Sequence, residues 1–120
     1  MKKILIVDDE PGITQAFEDS FRYEKEFEIT STNDSDEAIS LIKEKKPELL
    51  VLDWRLRGEV EGKDILMFMK KEFPKTPVYV VTASVQFVPE IKSLGADVCI
   101  LKPCGDLKEK IKAALSPSNL

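Results

Sequence analysis

Apolar residues come in two rhythms that alternate from one end of the chain to the other. Lys3 to Val7, Leu49 to Asp53, Val78 to Val81 and Asp97 to Leu101 hold runs of strand length with little polar alternation. Such runs predict strands buried on both faces, as in a parallel sheet covered by helices. Phe27 to Ser31 alternates apolar with polar, which suits a half-buried strand nearer an edge. Between these runs the apolar positions recur at helical spacing. Ile13, Ala16, Phe17, Ser20 and Phe21 form one inward stripe, as do Ala38, Ile39, Leu41 and Ile42, then Ile65, Leu66, Phe68 and Met69. Phe87, Ile91 and Leu94 suggest a fourth helix, and Leu107, Ile111, Ala114 and Leu115 a fifth.

The punctuation agrees with this reading. Pro11 suits the first helical position. Asp34 with Glu37 three residues on predicts a capping box, and so does Asp106 with Glu109. Pro47 closes the second helix, Arg55 to Gly62 reads as a loop, and Lys63 to Phe73 as a helix stopped by Pro74. Pro89 cannot sit in a helix interior, so the fourth helix is expected to start near Val88 and to be short, with Gly95 at its C′ position. Five strands strictly alternating with five helices predict an α/β fold, an open parallel sheet with helices on both faces. Right-handed crossovers place all strand carboxyl ends along one edge, where ligands of such sheets bind.

Composition narrows the class. A chain of 120 residues with 42% hydrophobic content is expected to form one domain with its own core, with 116–120 a tail or the start of a linker. No apolar run approaches the ~20 residues of a membrane span, and Ile4 to Val7 is too short for a secretory signal. A soluble cytoplasmic protein is expected. The net charge of −4 and the scatter of lysines give no basic stripe for nucleic acid. Cys99 and Cys104 match no zinc spacing and are read as free thiols in a reducing compartment. The chain contains no histidine, which excludes Ser-His-Asp and Cys-His nucleophiles.

What remains is chemistry at the strand ends: Asp8 and Asp9 after the first, Asp53 at the end of the central one, Thr82 and Lys102 after the last two. Carboxylates crowded in one crevice repel, and oxygen ligands with no His or Cys among them select a hard ion, Mg²⁺ before Zn²⁺. A lysine and a hydroxyl beside such an ion can hold phosphoryl oxygens, leaving Asp53 as the nucleophile toward an activated phosphoryl donor. Neither glycine-rich phosphate loop is present, so the donor is expected to be a small molecule or another protein.

The stretches Ile-Leu-Ile-Val-Asp8-Asp9-Glu10, Leu-Leu-Val-Leu-Asp53, Val-Val-Thr82-Ala83 and Leu-Lys102-Pro103 resemble the motifs of the receiver domain of two-component response regulators, in order and over essentially the whole chain. The resemblance implies a (βα)5 flavodoxin-like, doubly wound five-stranded sheet. It implies a phosphorylation-controlled switch rather than an enzyme, with Asp53 phosphorylated by a phosphohistidine on a histidine kinase or a histidine phosphotransfer protein. Self-dephosphorylation would be its only turnover. It further implies Mg²⁺, with Mn²⁺ able to substitute, held by Asp9, Asp53 and the backbone carbonyl of Arg55 with Asp8 assisting. Thr82 and Lys102 would contact the phosphoryl group, and Lys102-Pro103 would be cis. The expected assembly is a monomer or a phosphorylation-dependent dimer, with neither nucleic acid nor membrane as direct partner. The chain departs from the family pattern at Arg57, where Pro is usual, at Cys99, where an aromatic is usual, and at Cys104, where Phe is usual. A haloacid-dehalogenase-type phosphatase would need a second Asp where Arg55 stands. A flavin carrier would need a phosphate loop where Asp8, Asp9 and Glu10 repel one. A receiver cut from a larger regulator or hybrid kinase, or a receiver-fold scaffold with altered output, keeps the same fold.

Overall fold

The computed structural model describes residues 1–56, 58–103 and 105–115. Arg57, the Cys104 thiol and the 116–120 tail lie outside the described residues. In chain order the elements are β1 (Lys2–Val7), α1 (Pro11–Ser20), β2 (Phe27–Thr32), α2 (Ala38–Lys45), β3 (Leu49–Asp53), α3 (Gly62–Glu72), β4 (Val78–Thr82), α4 (Val88–Ser93), β5 (Val98–Leu101) and α5 (Leu107–Ala114). Short 3₁₀ turns at Ser35–Glu37 and Val85–Phe87 lead into α2 and α4. All strand pairs are parallel, in the order β2-β1-β3-β4-β5.

Strand side chains alternate between two cores, one on each face of the sheet. Leu5, Val7, Leu50, Leu52, Val78 and Val80 pack beneath α2, α3 and α4, meeting Ile42, Ile65, Leu66, Met69 and Ile91. Ile4, Ile6, Leu49, Val51, Tyr79 and Val81 pack beneath α1 and α5, meeting Phe17, Phe21, Leu107 and Ile111. Each such aliphatic side chain contributes roughly 1.5–3 kcal/mol by leaving water. Every residue of β3 and β4 is buried. β5 differs from the expected core strand because it is an edge: only Ile100 is buried and Leu101 is 45% exposed.

The two expected capping boxes do not form, and one that was not expected does. At Asp34 the box does not form, because Thr32 competes for both partners: its hydroxyl accepts from Asp34 N at 3.0 Å and donates to Glu37 at 2.5 Å. Asp34 instead accepts from Asp36 N at 2.9 Å and caps the 3₁₀ turn. Asp106 caps nothing with its side chain, which lies 3.6 Å from Lys110 on the surface. A true capping box forms at Glu61 and Asp64, which places the start of α3 at Gly62, one residue earlier than expected. α4 starts at Val88 with Pro89 in its first turn, as expected, and Gly95 has φ 101°.

The α1 stripe is rotated from expectation and the α5 stripe is narrower. α1 buries Thr14, Phe17 and Phe21, while Ile13, Ala16 and Ser20 are exposed. Thr14 can be buried because its hydroxyl donates to Pro11 O and accepts from Asn33 Nδ2. α5 buries Leu107 and Ile111 only, leaving Ala114 exposed. Glu24, in the turn before β2, ties α5 down through Lys108 at 3.1 Å and Lys112 at 2.9 Å.

Candidate functional site

The parallel register brings the chemical side chains together. Val7 pairs with Leu52, Asp53 with Val81 and Thr82 with Leu101, so Asp8, Asp53, Thr82 and Lys102 arrive at one edge of the sheet. Backbone bonds carry the ladder up to and past these residues: Trp54 N donates to Val81 O at 3.0 Å, and Lys102 N to Thr82 O at 2.9 Å. Asp8, Asp53 and Thr82 are buried, Asp9 is half-buried, and Lys102 lies between the carboxylates. Its ammonium is 3.4 Å from Asp8 Oδ2 and 3.5 Å from Asp53 Oδ1. Lys102-Pro103 is cis.

Three features position the group. Asn33 donates to the carbonyl of Asp8 at 2.8 Å and to Thr14, joining the loop after β2 to the end of β1. Glu10 N donates to Asp8 Oδ1 at 3.0 Å, which folds the chain back toward α1. Gly62 sits against the end of β3, where a Cβ would lie 2.6 Å from Trp54 O, so any side chain there would push the loop off the strand. None of these is legible in residue spacing, because each joins a side chain or backbone atom to a separate turn.

Two buried carboxylates share one ammonium, and the electrostatics follow. Burial pushes the Asp53 carboxyl up to about 6, the Asp8 charge adds to the rise, and Lys102 opposes it. Asp8 is also raised, by burial first, against the pull of the Glu10 N–H and Lys102. Burial pulls Lys102 down, but Asp53 and Asp8 outweigh it and hold the ammonium above its usual range. Carboxylate oxygens of Asp8, Asp9 and Glu10 lie within 4.8 Å of one another. Asp53 stands outside that cluster and reaches Asp8 through Lys102. The structure thus brings together Asp8, Asp53 and Lys102 directly, with Asp9 adjacent.

Thr82 accepts from Ser84 N at 3.2 Å through its hydroxyl oxygen, so its own proton remains available to a ligand. Arg55 follows Trp54 at the start of the loop, and its guanidinium lies over the Phe87 ring at 5.8 Å. Cys99 faces the α4 side of the sheet, half-buried. Burial pushes its thiol up, against Lys92, as for a passive apolar residue.

Among the described residues no helix is long and apolar enough to cross a membrane. The family model of the response regulator receiver domain matches residues 4–115. The probable transcriptional regulatory protein TcrX of Mycobacterium tuberculosis is 33% identical over 102 residues, 83% of this chain. The chain spans 43% of the length of that relative. A CheY-like receiver domain protein of Methanospirillum hungatei superposes with a TM-score of 0.84 at 30% identity, covering 93% of this chain and 91% of that one. The response regulator TrrA of Thermotoga maritima, solved in complex with Mg²⁺ and BeF, has a TM-score of 0.82 at 27% identity, covering 93% and 97%.

Proposed function

The chain belongs to the family of response regulator receiver domains, and from that premise we propose that Asp53 accepts a phosphoryl group from a phosphohistidine of a histidine kinase or histidine phosphotransfer protein. The observation that carries the reading is Asp53 itself: a buried carboxylate ending the central strand, sharing the Lys102 ammonium with Asp8. An Asp53 oxygen attacks phosphorus, the P–N bond to the donor imidazole breaks with its electron pair leaving on nitrogen, and an acyl phosphate forms on Asp53. With a small acyl phosphate as donor the bond that breaks is P–O, and the carboxylate leaves.

The donor set suits Mg²⁺, since the carboxylates of Asp8, Asp9 and Asp53 are hard oxygen ligands brought to one edge of the sheet. Asp9, Asp53 and the backbone carbonyl of Arg55 would hold the ion, with Asp8 assisting, and Mn²⁺ would serve in its place. When bound it neutralises charge on the incoming phosphoryl oxygens. Lys102 then exchanges its carboxylate partner for a phosphoryl oxygen, and Thr82 turns its hydroxyl toward another. Because Ser84 N leans on that hydroxyl, movement of Thr82 passes into the 3₁₀ turn before α4. The result is a switch rather than an enzyme, working in the cytoplasm. Its output passes to an attached effector domain or to a separate protein.

Acetyl phosphate with Mg²⁺ should give an acid-stable, base-labile phosphoryl adduct on Asp53, read by mass spectrometry of the digested protein. Chelation should stop labelling. An adduct that persists in Asp53→Asn assigns a different nucleophile.

A further inference from the structure

The spacing of α1 predicts that Ile13 and Ala16 face the core, yet both are exposed, Ile13 by 39%. They form one wall of a cavity of about 690 Å³ between α1 and α5, with Leu107 opposite and Ile6, Val51 and Val81 as its floor. That volume is within the range of small-molecule sites, and most of the lining is apolar, as such sites require. The charged side chains Asp8, Asp53 and Lys102 close one end of the cavity, and the Ser20 hydroxyl that also lines it is spent on Phe17 O. Lys108 also lines the α5 wall, but its ammonium is engaged 3.1 Å from Glu24 and lies over the Phe21 ring. The cavity therefore presents an apolar slot ending in two carboxylates with one ammonium between them.

We propose that this cavity binds an amphiphilic organic monocation, its primary ammonium paired with Asp8 and Asp53 and its aliphatic or aromatic body lying along Ile13, Ala16 and Leu107. The charge balance selects the head. An ammonium brings three donors to acceptor-only oxygens, whereas an organic anion has to take Lys102 from both carboxylates and then face them. The walls select the body, because methylammonium makes the ion pair but leaves the walls in water, while a phenethyl group covers them. The head uses carboxylates that the proposed metal site also uses, so such a ligand and Mg²⁺ exclude one another. Occupancy would thus give the domain a chemical input separate from any kinase. Binding itself needs no phosphoryl transfer, so this site and the function proposed for Asp53 stand or fall separately.

The test is a titration of the metal-free protein with 2-phenylethylammonium, methylammonium and 3-phenylpropanoate, followed by amide and methyl chemical shifts. Phenylethylammonium should bind saturably, at least tenfold more tightly than methylammonium, with shifts at Ile6, Ile13, Val51 and Asp53, and Mg²⁺ should compete with it. Ala16→Trp, which fills the cavity from an exposed helix position, should weaken phenylethylammonium at least tenfold and leave Mg²⁺ affinity unchanged. Ile13→Asp serves the same purpose should the tryptophan variant fail to fold. Equal affinity for the two ammonium ions, tighter binding of phenylpropanoate, indifference to Mg²⁺ at concentrations where Mg²⁺ itself is seen to bind, indifference to both variants, or no saturable binding would each overturn the proposal.

Discussion

Asp53 holds its proton more tightly folded than unfolded, about 6 against an ordinary 3.8, and this makes the proposed phosphoacceptor a source of instability in the metal-free chain. Below about pH 4 the group is protonated in both states and contributes nothing. As pH rises through the interval up to 6 the unfolded chain ionises first, so stability falls, and above 6 the full cost of roughly 3 kcal/mol is present. Asp8, shifted in the same direction, adds to it. Asp53→Asn should therefore raise the unfolding free energy at pH 7 by roughly 1–3 kcal/mol in chelator and by little at pH 4. Urea melts at the two pH values check this, and a destabilised variant at pH 7 would contradict the charge balance drawn for the site. These residues were readable beforehand because each ends or follows an apolar strand, where a charge has no structural use. Their partners were not: that Lys102 would serve Asp8 and Asp53 together, and that Asn33 would hold the Asp8 carbonyl, depends on turns whose shape no spacing reports.

Among the elements, α4 is the one poised to move. It has six residues and buries only Ile91. Beyond its apolar packing, two contacts among the described residues bind this segment to the α3 side: Arg55 over Phe87, and Lys63 with Glu90 at 3.7 Å. Phe87 is half-buried, while the ion pair is exposed and contributes less than about 1 kcal/mol. Phe87→Ala should remove the ring beneath Arg55 and shift the α4 amides of the unphosphorylated protein part-way toward their positions in a beryllofluoride complex. Cys99→Ala, packed on the same side without a lever of its own, should leave those shifts and phosphorylation unchanged. Spectra in which Cys99 matters and Phe87 does not would reverse the assignment. At this scale the sequence predicts which elements exist more surely than how they begin. Asp34/Glu37, Glu61/Asp64 and Asp106/Glu109 share one spacing, and only the middle pair forms a box. Thr32 intercepts the first, and the last faces Lys110 instead.

For the whole molecule, the order β2-β1-β3-β4-β5 explains why burial follows strand position more than strand composition. Val98 to Leu101 is as apolar as Leu49 to Leu52, yet only Ile100 is fully buried, because the sheet ends there. The alternation of strand and helix was legible throughout; the order in which strands pair came from the structure. The two-sided core was expected as well, but a continuous apolar run does not say which residue points to which helix layer.

That two-sided core has a consequence for how the chain opens. α3 is anchored by Gly62, Ile65, Leu66 and Met69, whereas α5 is anchored by Leu107 and Ile111 and by the half-buried Glu24 pairs. Local opening free energies scale with such anchorage, and partial unfolding begins where it is least. In deuterium exchange, the amides of α5 should gain label well before those of β3, and faster in high salt, which screens Lys108 and Lys112 from Glu24. Protection of α5 equal to that of the central strand would mean that the chain opens as a single cooperative unit. Otherwise α5, like the thinly anchored α4, is among the first parts of the described chain that a protease, or a partner able to trap an opened helix, would find.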